Sequence, residues 1–136
     1  MNTEIKTRSK EIGEIARKYG LDLVVLFGSQ ATGRTHPKSD VDIGYTASQR
    51  LALETQFKIE TDISRLLGRG DIEFVDLRRV SPTMKKIVAD EGVALYERLP
   101  GTFVSFCVYA FKLHVETKSL RGSRYQSLRN FIYGAA

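Results

Sequence analysis

Two aspartates, Asp40 and Asp42, open a segment of alternating polar and apolar residues, DVDIGYT. Aspartate is a poor strand former, so two of them on one strand need a reason. Residues i and i+2 of a strand face the same way. Asp40 and Asp42 are therefore expected to point into one region, with Val41 and Ile43 packed on the opposite face. Two carboxylates held this close repel, and one is driven to take a proton unless a cation sits between them. A divalent metal resolves the conflict, and Mg²⁺ favours carboxylate oxygens, water and substrate phosphates. Read alone, the pair fits two solvated aspartates on an exposed edge strand better than a metal site.

The preceding residues bear on that choice. Gly28 and Ser29 follow the apolar run LDLVVLF directly. Glycine lets a ligand approach the backbone without Cβ interference. Successive backbone N–H groups beside a serine hydroxyl suit a phosphate. A phosphate held beside metal-binding carboxylates is the arrangement needed for phosphoryl or nucleotidyl transfer. A two-metal site wants a third acid, and the segment DIEFVDL offers Asp71, Glu73 and Asp76. Ile72 and Phe74 should face helices, which sends Glu73 to the open side and favours it over Asp76.

The elements that must position these groups follow from periodicity. Residues 4–19 have helical spacing, with Thr3 at the start and Gly20 at the end. Residues 21–27 read as a buried strand, 28–39 as a loop and 40–46 as a strand with one open face. A helix over 49–68, a strand over 71–77, a helix over 81–92 and a strand over 93–97 complete the order. Ser81 is placed to cap its helix and Pro82 to occupy the first turn. The expected fold is α/β (α+β), a small mixed sheet with helices packed on one face. Residues 1–99 form that domain, and LPGT breaks the pattern at 99–102. Residues 100–136 read as one or two amphipathic helices, with Gly122 a point of interruption. The tail aromatics Phe103, Phe106, Phe111, Tyr125 and Phe131 exceed what one helix stripe needs, so the tail is expected either to bind a partner or second copy or to pack on its own domain.

The chain has 136 residues, 42% apolar, which suits one core. The net charge of +5 is compatible with an anionic partner. A single cysteine, Cys107, excludes an internal disulfide or a thiolate metal site. His114 has no second His or Cys near it in sequence, and His36 lies in the loop. Residues 1–20 are charged and amphipathic, unlike a signal peptide, and no apolar run approaches membrane-spanning length. A cytoplasmic location is expected.

Gly28-Ser29, ten residues, then Asp40-x-Asp42 resembles the signature of the DNA polymerase β-like nucleotidyltransferase superfamily. The wording GSQATGRTHPKSDVDIGY, DIEFVDLRRVSP and GVALYE is similar to the minimal nucleotidyltransferases called MNT, many of them antitoxins of HEPN/MNT toxin–antitoxin pairs. The resemblance covers roughly residues 8–98. It implies that Gly28 and Ser29 hold the triphosphate and that Asp40 and Asp42 bind two Mg²⁺ ions. The third family acid falls on Glu73, where Asp is commoner, and Gln30 stands where many members have Arg. Arg34 remains in the loop, equally suited to a phosphate contact or to a solvent-exposed charge. The implied activity is transfer of AMP from ATP to a tyrosine hydroxyl of a HEPN RNase toxin. The alternatives are a non-enzymatic module that blocks the toxin sterically, or a transferase acting on RNA or a small molecule.

Overall fold

The computed structural model describes residues 3–33 and 40–133, with side chains through residue 118. Two short helices, α1 (Thr3–Thr7) and α2 (Ser9–Lys18), occupy the expected first helix, with a break at Arg8. The strand β1 (Leu21–Phe27) follows, then a one-turn helix α3 (Ser29–Thr32) inside the expected loop. Next come β2 (Val41–Ala47), α4 (Leu53–Leu67), β3 (Ile72–Asp76), α5 (Pro82–Glu91), β4 (Val93–Glu97) and α6 (Thr102–Tyr133). The sheet order is β3-β2-β1-β4. β1 is antiparallel to both β2 and β4, whereas β2 and β3 are parallel. The parallel pair requires a crossover, and α4 supplies it.

Local chemistry explains the helix ends. The Ser81 side chain accepts a hydrogen bond from Met84 N at 3.1 Å, and Pro82 sits where its missing N–H costs nothing. Gly68 ends α4 in the left-handed conformation, φ 64°. The Glu97 carboxylate accepts from Phe103 N at 2.8 Å and so satisfies a donor at the start of α6.

α6 is one continuous helix of 32 residues and Gly122 does not interrupt it, which settles the expectation of one or two helices in favour of one. A lone glycine inside a helix costs about 1 kcal/mol, too little to break a long run of helix formers. Phe103, Phe106, Cys107 and Leu113 are half-buried and Ala110 is buried, as the spacing predicts. The second apolar run, Tyr125, Leu128 and Ile132, has side chains outside the described residues.

The layering differs from a sheet with helices on one face. Val24, Leu26, Ile43, Tyr45 and Leu95 pack with Ile12, Ile59 and Ile63 of α2 and α4 in the main core. Leu23, Val25 and Phe27 point the other way and pack with Val88, Phe103 and Phe106. α5 and α6 thus cover part of the second face, because β1 is apolar on both sides and needs two covers. The β2–β3 end of that second face carries Asp42 and Glu73.

One close contact on this face is directly testable. A Cβ added at Gly44 would collide with the Leu77 side chain, itself wholly buried. Gly44→Ala is expected to destabilise the fold by about 1–3 kcal/mol, seen as a lower urea midpoint with an unchanged slope.

Candidate active site

The register of the sheet builds the site. Asp42 stands opposite Phe27 on β1 and opposite Glu73 on β3. Directly opposed residues share a face. The Asp42 carboxylate is therefore held between the Gly28 backbone at the end of β1 and the Glu73 side chain on β3. Gly28 has φ 73° and ψ −157°, a conformation open essentially to glycine alone. A Cβ there would also collide with the Asp42 carboxylate. Gly28 O accepts from Ala31 N and Thr32 N at 3.1 and 3.2 Å, which winds the chain into α3 and leaves half-buried Ser29 at its first position.

Asp42 and Glu73 are joined by a side-chain hydrogen bond, which two carboxylates make by sharing a proton. The Asp42 pKa is pushed up to about 6, first by burial, then by that hydrogen bond and the charges of Glu73 and Asp40. A divalent cation held beside the two carboxylates would relieve the same repulsion. This carboxylate-rich, oxygen-only donor set fits a divalent ion such as Mg²⁺. Glu73→Gln is expected to bring the Asp42 pKa down from about 6 while leaving it above 3.8, since burial persists, and Asp76→Asn should leave it unchanged. Carboxyl carbon NMR titration reads both, and an unmoved Asp42 in Glu73→Gln would break the assigned pairing.

The other sequence candidates separate clearly. Asp40 is exposed and stands one residue before β2, acting on Asp42 through space. Among the described residues the acids do not close into a three-ligand metal cluster. Asp71 is held by Arg69 in a two-pronged ion pair, 2.8 Å from Nε and 2.6 Å from Nη2, which lowers its pKa. Asp76 lies opposite Tyr45, whose side chain belongs to the main core, and its Oδ1 accepts from Arg78 N at 2.9 Å. Of the three acids around β3, Glu73 is the one beside Asp42. Gln30 is 3% exposed, a packed position rather than an open one. Arg34 and His36 lie outside the described residues.

Sequence reasoning missed two features. Val104, Val108, Phe111 and Val115 form an exposed apolar stripe along α6, each 52–64% exposed. Their spacing of four, three and four was visible, but periodicity cannot say which stripe of a helix is covered. Lys85 is buried, and nothing in its local sequence signals that.

Two curated relatives share the name protein adenylyltransferase MntA. The one from Shewanella oneidensis is 32% identical over 76 residues, 56% of this chain and 54% of that protein, so the match spans about half its length. The one from Aphanizomenon flos-aquae is 28% identical over 129 residues, 82% of this chain and 81% of that protein. A chain in the solved structure of the tri-AMPylated Shewanella oneidensis HEPN toxin in complex with MNT antitoxin superposes with a TM-score of 0.70 at 21% identity, covering 95% of this chain and 99% of that one. That likeness speaks for the fold. Among the described residues no helix is long and apolar enough to cross a membrane. Residues 10–100 match the family described as polymerase beta, nucleotidyltransferase, and with the glycine-serine turn and paired acids at the heart of that span, the chain belongs to this nucleotidyltransferase family.

Proposed function

We propose that this chain is a protein adenylyltransferase antitoxin, moving AMP from ATP to a tyrosine hydroxyl of a HEPN-type RNase toxin in the cytoplasm. The observation that carries the reading is the Asp42–Glu73 pair on an open sheet face, wrapped by a backbone at Gly28 that leaves no room for a side chain. The names of the MntA relatives support the choice of AMP and of a protein acceptor.

Residues 1–99 are the catalytic unit and residues 100–136 the partner-binding tail. Ser29 and the neighbouring backbone N–H groups hold the β- and γ-phosphates, with Arg34 as a further contact. Asp40, Asp42 and Glu73 are the residues that would hold two Mg²⁺ ions. Bound Mg²⁺ supplies neutralisation of charge at the α-phosphate. Glu73 takes the proton of the acceptor hydroxyl. The acceptor oxygen then bonds to the α-phosphorus as the bond to the β-phosphate oxygen breaks, and pyrophosphate leaves. The test is label transfer from α-phosphate-labelled ATP with Mg²⁺ to the product of the neighbouring reading frame. Label on that protein, absent with Asp42→Asn, is the expected result.

The exposed stripe of α6 favours a second reading, in which the chain blocks its partner by binding alone. A stable complex without any label transfer would select it.

A further inference from the structure

A second cavity lies on the same sheet face as Asp42, towards the other end of the strands. Thr46, on its wall, is four residues along β2 from Asp42, about 13 Å at roughly 3.3 Å per residue. The cavity has a volume of about 420 Å³, within the range of roughly 300–1,000 Å³ usual for small-molecule sites. Lys85 of α5 and Arg78 at the end of β3 line it, together with the rings of Phe106 and Tyr109 and the hydroxyl residues Thr46 and Ser105.

Lys85 is the informative residue. It is 8% exposed, and among the described residues no carboxylate pairs with it. Its neighbour Lys86 takes Asp90 instead. The contact shown for the Lys85 ammonium is the Tyr109 ring, 5.7 Å to the centroid. The Lys85 stem is covered while its ammonium keeps access to the cavity, and an anion there would supply the counter-ion it lacks. An ammonium and a guanidinium among the lining residues are suited to a phosphate. Rings for a base and hydroxyls for a ribose complete the complementarity. An uncharged apolar occupant would leave Lys85 without a counter-ion among the described residues.

We propose that this cavity is a second, metal-independent nucleotide site that takes a nucleoside monophosphate, with Lys85 as the phosphate anchor. The choice of AMP as its ligand rests on the adenylyl-transfer reading. That group has two sources, free AMP or an adenylyl group already attached to the acceptor.

The test begins with calorimetric titration of AMP into the full-length protein without divalent metal. Wild type is expected to bind saturably. Lys85→Gln should bind at least about ten-fold more weakly, as removal of a charged hydrogen-bond partner implies. Asp42→Asn should bind as wild type. Ser105→Trp, which fills the cavity mouth, should weaken binding likewise and stands in if Lys85→Gln does not fold. Absence of AMP binding, or loss of it in Asp42→Asn with Lys85→Gln unaffected, overturns the proposal. These outcomes do not depend on whether the chain transfers AMP at all. Mass spectrometry of the modified acceptor then separates the sources. Extension halted after the first adenylyl group in Lys85→Gln assigns the cavity to the attached group, and an unchanged number of groups with weakened AMP binding assigns it to free AMP.

Discussion

Asp42→Asn is expected to lower adenylyl transfer by about 1,000-fold or more, because the amide can neither hold a divalent cation as a carboxylate does nor offset the charge it brings. The same substitution should make the metal-free protein more stable, and the sign follows from the pKa. Folding raises the Asp42 pKa from 3.8 to about 6. A raised carboxylate pKa means that the fold prefers the protonated form. The stability tied to that proton is complete below pH 4 and is lost as the pH rises through about 6. Asparagine mimics the protonated acid at every pH. Asp42→Asn and wild type should therefore melt together near pH 4 in chelator, while at pH 8 the variant should be more stable by about 1–2 kcal/mol, a figure discounted for partial solvent access. Excess Mg²⁺ should stabilise wild type above pH 6 and not the variant. Turnover retained in the variant, or equal melting at pH 8, would remove Asp42 from the role given to it.

Gly28→Ala is expected to be the second severe substitution. It demands a side chain at φ 73°, ψ −157°, and the new Cβ would run into the Asp42 carboxylate. Either Asp42 rotates away from Glu73 or the backbone leaves its place beside Ser29. Both outcomes dismantle the site, so transfer should fall by about 100-fold or more and stability by about 2–4 kcal/mol. Gly68→Ala is the control. That glycine also has a positive φ, 64°, but nothing lies within 4 Å of the added Cβ. Its cost should be about 1 kcal/mol, with transfer unchanged. Initial rates and chemical denaturation on the two variants separate backbone strain from collision with the carboxylate. Equal rates for both would mean that Gly28 matters only as a turn.

Much of this was legible in the chain itself, for reasons that are local. Alternation at residues 40–46 and 71–77 decides which side chains share a face, because the period of a strand is two. That rule alone put Glu73 on the open side and sent Ile72 and Phe74 to the core. Ser81, Pro82 and Gly68 announced helix ends through hydrogen bonds and dihedrals confined to a single turn. The spacing from Gly28 and Ser29 to Asp40 and Asp42 carried the family.

What remained depended on contacts between residues distant in sequence. Asp42 meets Glu73 only because β2 and β3 run parallel in one particular register, and no local pattern sets that register. The second helical cover arises because α5 and α6 return to the far face of β1, a choice made by packing and not by the amphipathicity of either helix. The sequence alone left open which apolar stripe of α6 stays uncovered, since the helix carries more than one and only the docked domain distinguishes them. Lys85 is hidden in the same way: an unremarkable lysine in the helix pattern becomes a largely covered side chain on a cavity once α6 and the sheet close around it.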